Sequence, residues 1–163
     1  MNVFREKDSD YIKEMYNVRY EEKIKIKYLY KDSPKLEETI KGDWIDLYTA
    51  EDISMKAGEF KLIHLGIAMM LPTGYEALVI PRSSTFKKYG IIQANSIGLI
   101  DEAYCGNNDE WCFPAYATRD ISIEKHTRIC QFRIIKHQPT LLFNEVPELS
   151  DIDRGGFGST GEK

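Results

Sequence analysis

Asp101 is the acidic residue whose position in the sequence most favours chemistry. It follows the apolar residues Leu99 and Ile100, which we expect to anchor the run in a core, and Tyr104 stands three positions after it. A carboxylate at the exit of a strand can stay partly buried, so that its surroundings hold its geometry and tune its pKa. The glycines at 98 and 106 bracket this run at points where the backbone turns sharply or approaches a ligand closely. On these nine residues alone, an ordinary β-hairpin in which Asp101 starts a turn is the favoured interpretation.

A second candidate is the triplet Arg82-Ser83-Ser84, which follows Pro81 at the predicted end of a strand. A guanidinium, two hydroxyls and free backbone N–H groups in one place could bind a phosphate. The alternative is a solvent-exposed helix start in which a serine serves as the N-cap.

A third candidate is the glycine-rich end of the chain, Gly155 to Gly161, preceded by Arg154. It has no Lys-Ser/Thr pair of a Walker loop and no helix after it. Phe157 could stack on a planar base, Arg154 could pair with a phosphate, and Ser159 and Thr160 could add hydrogen bonds if the segment closed on a ligand. A disordered terminus is the alternative.

Asp46 lies inside an apolar-flanked predicted strand and therefore needs a partner. A buried arginine or a hydrated metal ion would serve equally well.

The histidines have no metal-ligand spacing, which predicts structural or surface roles for His64, His126 and His137. Solvated charge is the simplest interpretation of three acidic pairs, Glu37-Glu38, Glu51-Asp52 and Asp109-Glu110.

Composition limits the classes of protein to consider. The chain has 163 residues, 42% hydrophobic and 12% aromatic, which predicts one globular domain with a real core. A net charge of -4 gives no basic surface for a nucleic-acid polymer. Three cysteines without CxxC spacing argue against a disulfide framework and a zinc site. No signal peptide or bilayer-length apolar run is found, so we expect no membrane association and a cytoplasmic location.

The hydrophobic pattern predicts the elements that must position these residues. From Ile24 onward, short runs of period two recur about every ten residues between turn residues, which predicts an all-β sandwich or jelly roll. Within it only 82–89 is expected to be briefly helical. Residues 1–23 form a charged extension whose apolar spacing favours a short helix, 24–149 form the domain, and 150–163 form a flexible tail. Predicted strands are 24–30, 42–50, 60–71, 75–80, 91–94, 96–100, 110–117, 127–135 and 140–143.

Five segments in order resemble the motifs of the trimeric dUTPase family. The similarity covers Ile24 to the C-terminus, and the five segments in the expected order and spacing are more specific than any one alone. The motifs are Gly42 to Ala50 around Asp46-Leu47, Pro81 to Ile91, Asn95 to Gly106, Thr127 to Gln131, and Arg154 to Gly161.

The resemblance implies a fold and an activity. The fold would be a distorted jelly-roll β-barrel subunit in a homotrimer, with the flexible tail of one subunit closing a site built by the other two. The activity would be hydrolysis of dUTP to dUMP and pyrophosphate with Mg²⁺. Asp101 would activate the water that attacks the α-phosphorus, and Tyr104 would pack under the deoxyribose. Asp46 would hydrogen-bond the water shell of the Mg²⁺ ion.

The resemblance also implies a set of substrate-binding residues. Asn95 and nearby strand backbone would recognise the uracil edge; Arg82, Ser83, Ser84 and Gln131 would hold the triphosphate; and the tail would cover the nucleotide. The full set is Arg82, Ser83, Ser84, Asn95, Gly98, Ile100, Tyr104, Gln131, Arg154, Phe157, Gly158 and Ser159.

The chain departs from the family pattern at two places. Ser84 stands where the second motif usually has glycine, and the tail lacks two residues between Arg154 and Gly155-Gly156-Phe157. Two extended residues span about 7 Å, so another aromatic residue, Phe86 or Trp111, is an alternative cover for the base.

Two other functions stay open. One is a dCTP deaminase of the same fold, which often carries an Arg-Ser-Ser triplet and would need a catalytic glutamate; Glu110 is the nearby candidate. The other is a non-catalytic dUTP-binding regulatory protein, which has no need of Asp101.

Overall fold

The structure is a computed structural model that describes residues 23–37, 43–150 and 152–153. These residues form eleven short strands and one short helix in a jelly-roll fold, which confirms the predicted all-β class. The predicted N-terminal helix lies in 1–22, outside the described residues. In chain order the elements are β1 Lys25–Tyr28, β2 Ile45–Tyr48, β3 Ile53–Met55, β4 Phe60–His64, β5 Ile67–Met70, β6 Tyr75–Pro81, α1 Thr85–Tyr89, β7 Ile91–Gln93, β8 Gly98–Ile100, β9 Cys112–Ala117, β10 Ile121–Ile123 and β11 Arg128–Lys136.

The strands pair in four antiparallel sheets. Two of these sheets have two strands each, β1-β5 and β10-β3, and a third has the order β4-β9-β7. The largest sheet has the order β2-β11-β6-β8, so that β8 forms one edge of it. Because β7 and β8 belong to different sheets, the turn between them carries the chain from the three-stranded sheet to the four-stranded sheet.

A single buried cluster joins these sheets. Phe113 on β9 and Phe132 on β11 both belong to it, and Trp111 packs edge-on against Phe132 with ring centroids 5.3 Å apart. Alternation places Ala77 and Val79 of β6 in the core while their neighbours face outward. Burying side chains of this size contributes roughly 1.5–3 kcal/mol each, so the core holds the strands at fixed registers.

Most predicted strands are present with shorter limits, and three predictions need correction. The pattern missed β3 and β10, which are three residues each and pair with one another. The strand predicted at 140–143 is absent, and the segment from Gln138 to Ser150 contains no strand or helix. Several of its apolar side chains are almost fully exposed, at 95% for Leu142 and 94% for Phe143. A strand needs a partner for its backbone, and this segment has none in the described part of a single chain.

Two further features concern membrane-spanning helices and the cysteines. In it, no helix is long and apolar enough to cross a membrane. The cysteines at 105, 112 and 130 are all free thiols, and Cys130 is fully buried.

Candidate active site

The strand β8 and the turn after it place Asp101 at the rim of a pocket. Gly98 is buried against Val79 of β6, whereas Leu99 is 58% exposed rather than anchored in the core as expected. Asp101 is also exposed, so the expectation of partial burial is wrong for a single chain. Its Oδ1 accepts a hydrogen bond of 2.9 Å from the backbone N–H of Ala103. The turn therefore holds one carboxylate oxygen, and the other makes no hydrogen bond within the described part of the chain.

The pocket beside Asp101 contains five of the predicted site residues. It is open, has a volume of about 370 Å³, and lies between β8 on one side and β4 and β9 on the other. Its lining consists of Leu62, Asn95, Gly98, Leu99, Ile100, Asp101, Tyr104, Glu110, Cys112 and Pro114. The predicted residues of the third motif thus converge on one cavity, large enough for a base and a sugar, with a carboxylate at its edge.

Glu110 anchors the loop that carries Tyr104. Its Oε1 accepts a 2.9 Å hydrogen bond from the backbone N–H of Gly66, and its Oε2 lies 2.9 Å from His64 Nδ1. The Tyr104 hydroxyl donates to the backbone oxygen of Glu110 at 3.2 Å. Desolvation, with help from the nearby acidic residues, raises the pKa of Tyr104, so the hydroxyl keeps the proton that it donates. The side chain of Glu110 is only 14% exposed, which contradicts the expectation of solvated charge for the pair Asp109-Glu110.

A second group of predicted residues lies on the outer face of the four-stranded sheet. Asp46 faces Gln131 across the pairing of β2 with β11, and Gln131 faces Ile80 of β6. The Arg82 Nε lies 2.7 Å from Asp46 Oδ1, and Arg128 Nη1 lies 3.1 Å from Asp46 Oδ2. Sequence analysis expects either an arginine or a hydrated metal ion as the partner of Asp46, and the structure shows two arginines. The three charged side chains leave one net positive charge here.

Among the described residues, neither of the two serines after Arg82 makes a side-chain hydrogen bond, so both hydroxyls are available to a ligand. Ser84 stands at the N-cap of α1, but its hydroxyl makes no capping hydrogen bond, so the interpretation as a serine cap is not supported. Its φ of -92° is an ordinary helical value, and glycine is not required there. Thr85 fixes the helix to β11 through a 2.6 Å hydrogen bond from its buried Oγ1 to the backbone oxygen of Ile129.

Among the described residues, no group of three His, Cys, Asp or Glu side chains could hold a metal ion. A site for Mg²⁺ made of protein ligands alone is therefore not found there. Asp46 is the carboxylate nearest the phosphate candidates, and both of its oxygens already accept from arginines. Each oxygen retains further lone pairs, and the side chain is 22% exposed. This donor set fits hydrogen bonding to metal-bound water and not direct ligation.

The remaining predicted residues and alternatives have different outcomes. Arg154, Phe157, Gly158 and Ser159 lie outside the described residues. Trp111 has no exposed surface and cannot cover a base, whereas Phe86 on α1 is 58% exposed. His64 contacts Glu110, and His126 Nε2 lies 3.7 Å from Asp32, which agrees with structural roles for both.

Sequence reasoning missed two residues that shape the pocket. Gln93 is 4% exposed and hydrogen-bonds Asn95, but a glutamine in a short strand carries no sequence signal. The sequence predicts Glu110 either as solvated charge or as the catalytic glutamate of a deaminase, and it carries no signal for the buried, anchoring role that the structure shows.

Comparison with known proteins identifies relatives over most of the chain. Residues 44–161 match the sequence profile of the dUTPase family. The chain is 58% identical over 140 residues to the SPbeta prophage-derived deoxyuridine 5'-triphosphate nucleotidohydrolase YosS of Bacillus subtilis, covering 86% of this chain and 99% of that protein. It is 40% identical over 150 residues to the deoxyuridine 5'-triphosphate nucleotidohydrolase of Clostridioides difficile, covering 90% and 99%.

Solved structures show the same fold. The dUTPase of Staphylococcus bacteriophage 80alpha with dUpNHpp superposes with a TM-score of 0.72 at 21% identity, covering 85% of this chain and 98% of that chain. The dUTPase of Streptococcus mutans gives 0.61 at 26% identity, covering 75% and 98%.

Proposed function

The chain belongs to the dUTPase family, and on that premise we propose that it hydrolyses dUTP to dUMP and pyrophosphate. Such an activity limits uracil incorporation into DNA and supplies dUMP. The observation that carries the proposal is the pocket in which Asn95, Gly98, Ile100 and Tyr104 surround a cavity with Asp101 at its rim. The three free thiols are compatible with a cytoplasmic location.

Asp101 is the proposed general base. One oxygen is held by the N–H of Ala103, and the other is free to accept a proton from a water molecule. A water oriented there would attack the α-phosphorus in line with the departing pyrophosphate. The rigid turn supplies orientation, and the carboxylate supplies the proton acceptor.

Tyr104 is the proposed contact for the deoxyribose. The hydrogen bond from its hydroxyl to the Glu110 backbone fixes the ring at the wall of the pocket. A ring packed under the sugar would leave no room for a ribose 2′-hydroxyl. Glu110, bound to Gly66 and His64, keeps that wall in place.

The outer face of the four-stranded sheet is the proposed triphosphate site. Arg82, Ser83, Ser84 and Gln131 would bind the phosphates, and the arginine is pre-oriented by its ion pair with Asp46. A bound Mg²⁺ ion would neutralise charge on the triphosphate, and Asp46 would accept hydrogen bonds from its water shell. In the tail 150–163, Arg154, Phe157, Gly158 and Ser159 would complete the enclosure of the nucleotide.

The two groups of residues support a homotrimer with shared sites. The lining of the pocket at Asp101 includes none of the four proposed phosphate ligands. The chain also exposes large apolar side chains that a partner would cover, among them Phe60, Leu62, Ile97, Leu99, Leu142, Phe143 and Leu149. A trimer would bring the pocket of one copy to the phosphate residues of another.

The competing deaminase function has a specific test. A deaminase would use Glu110 in catalysis, whereas in this structure its carboxylate holds the backbone N–H of Gly66 and the His64 ring in place. The purified chain should be incubated with dUTP or dCTP in the presence of Mg²⁺, while pyrophosphate and ammonia are both measured. Pyrophosphate from dUTP supports the proposal. Ammonia from dCTP without pyrophosphate, or tight binding of dUTP without any product, contradicts it.

A further inference from the structure

Gln93 connects the core of the protein to the base-recognising residue Asn95. It lies on β7 with 4% of its surface exposed. Its Nε2 donates a 3.0 Å hydrogen bond to the backbone oxygen of Val79 and another of 3.0 Å to Asn95 Oδ1. One amide group thus links β6, an inner strand of the four-stranded sheet, to a side chain that lines the pocket.

This chain of contacts has only one chemically consistent direction. The Val79 carbonyl can only accept a hydrogen bond, so the atom of Gln93 that faces it must be the nitrogen. The same NH₂ group donates its second hydrogen to Asn95, and the atom that receives it must be an oxygen. The backbone carbonyl of Val79 therefore sets the orientation of the Gln93 amide, which in turn sets the orientation of the Asn95 amide. The Nδ2 amino group of Asn95 is left free to face the pocket.

The packing around Gln93 reinforces that direction. A Cβ atom at Gly98 would lie 3.2 Å from Gln93 Nε2 and 3.1 Å from the Val79 side chain, so glycine gives the amide its space. Gln93 Oε1 is buried and has no hydrogen-bond partner among the described residues. An unpaired buried oxygen lowers the stability of the folded protein by about 1–3 kcal/mol. The arrangement is therefore not explained by its contribution to folding stability.

We propose that Gln93 is a positioning residue that sets the base preference of the pocket by holding Asn95 with its NH₂ group toward the ligand. The inference rests on the proposed function, in which Asn95 contacts the base. Uracil presents a carbonyl oxygen at position 4, which accepts from that NH₂ group. Cytosine presents an amino group there, and two donors would face each other without a partner. A site built to pair one hydrogen-bonding group strongly rejects its opposite.

The test is the ratio of kcat/KM for dUTP to that for dCTP, with pyrophosphate as the product measured. Gln93→Leu keeps a similar volume but removes the amide, so Asn95 can rotate and the ratio should fall at least tenfold. Gln93→Glu offers acceptors to Asn95, should turn its oxygen toward the pocket, and should lower the ratio further. The matched control is Ile92→Val, on the same strand but 48% exposed, whose ratio should equal that of the wild type.

The outcomes separate the inference from the proposed function. Wild-type protein that forms no pyrophosphate from dUTP refutes the proposed function before any variant is compared. If the wild type is active, a fall in the ratio for the glutamate variant supports the inference even where the leucine variant fails to fold. An unchanged ratio in the folded Gln93 variants, with kcat/KM lowered equally for both nucleotides, overturns it, because that is what a merely structural role would produce.

Discussion

Arg82 Nε lies 2.7 Å from Asp46 Oδ1 although β11 runs between β2, which carries Asp46, and β6, which ends one residue before Arg82. The ion pair therefore reaches across one strand of the sheet. It fixes the guanidinium while Arg128 holds the other oxygen of the same carboxylate. Asp46 is thus both the anchor for two cations and the proposed contact for metal-bound water, and these two roles can be separated.

Asp46→Asn should raise the Mg²⁺ concentration that gives half-maximal activity by about tenfold or more. The amide loses the negative charge that attracts the water shell of the ion, and such outer contacts typically change metal affinity by about 10–100-fold. A Mg²⁺ titration of dUTP hydrolysis measures the effect. Arg128→Gln is the matched change, since it removes an ion pair but keeps the carboxylate, and its midpoint should move less than threefold. If both variants raise the Mg²⁺ midpoint equally, Asp46 does not contact the water shell of the ion.

Asp101→Asn should bind dUTP normally and lose turnover by about 10²–10⁴-fold, the usual contribution of a general base. The asparagine keeps the size and the turn, because its Oδ1 still accepts from Ala103. Isothermal titration with dUpNHpp and a pyrophosphate assay measure the two quantities. Asp120→Asn, which alters an exposed ion pair with Lys56, should keep full turnover. Near-normal activity of the Asp101 variant would rule out its proposed role.

Mixing two inactive variants should restore activity if sites are shared. In trimers of random composition, Asp101→Asn and Arg82→Ala chains in equal amounts place an intact pocket beside an intact phosphate site in about a quarter of sites. Activity should therefore recover to about a quarter of the wild-type rate after unfolding and refolding together. A mixture of Asp101→Asn with Asn95→Ala should stay inactive, because both residues line the pocket of one chain. No recovery in the first mixture contradicts shared sites.

Tyr104→Ala should weaken discrimination between dUTP and UTP. Removing the ring opens space beside the sugar, and the ratio of kcat/KM for the two nucleotides should fall at least tenfold. Tyr104→Phe keeps the ring and loses only the hydrogen bond to the Glu110 backbone, so most of the discrimination should remain. If the alanine variant still rejects UTP as strongly as the wild type, another group excludes the 2′-hydroxyl.

Cys112 should react slowly with thiol reagents. Desolvation, with Glu110 nearby, raises the pKa of Cys112 to about 11 from a usual 9.0. At pH 8 the thiolate fraction is then about 100-fold lower than for a free thiol. Because a thiolate of higher pKa is more nucleophilic, its rate of reaction is raised about tenfold, so that the net rate is about tenfold lower.

A Cys105→Ser variant, in which the buried Cys130 is protected, should therefore react with DTNB roughly tenfold more slowly than a cysteine peptide. Its rate should keep rising from pH 8 to pH 10, where the peptide levels off. Faster reaction than the peptide at pH 7 would mean that His64, 3.7 Å from the sulfur, activates the thiol.

The sequence predicts the all-β class and the residues around Asp101, because period-two patterns and motif spacing depend on neighbours in the chain. An acid inside an apolar strand also predicts that Asp46 needs a partner, since unpaired burial is costly. Which partner it has depends on pairing between distant strands, and Arg82 and Arg128 reach it only through the register of β2, β11 and β6.

Glu110 and Gln93 were harder to predict for the same reason. The partners of Glu110 are His64 and a backbone N–H at Gly66, and those of Gln93 are a backbone oxygen and Asn95. Backbone groups are present at every position, so a contact with one leaves no trace in residue type. The exposed Leu99 and the strand at 140–143 were mispredicted because apolar residues that stay exposed in a single chain follow the same sequence pattern as core residues.

Gly98 has a consequence for how the protein can evolve. An alanine there would first press on Gln93 and Val79, neither of which is proposed to touch a nucleotide. Its effect would reach the ligand through the rotated amide of Asn95 as well as at Gly98 itself, which lines the pocket. Positions 79, 93 and 98 should therefore show epistasis, with single changes selected against and compensated combinations tolerated. A deep mutational scan in cells whose growth requires the removal of dUTP would show whether changes at these three positions are tolerated only in combination.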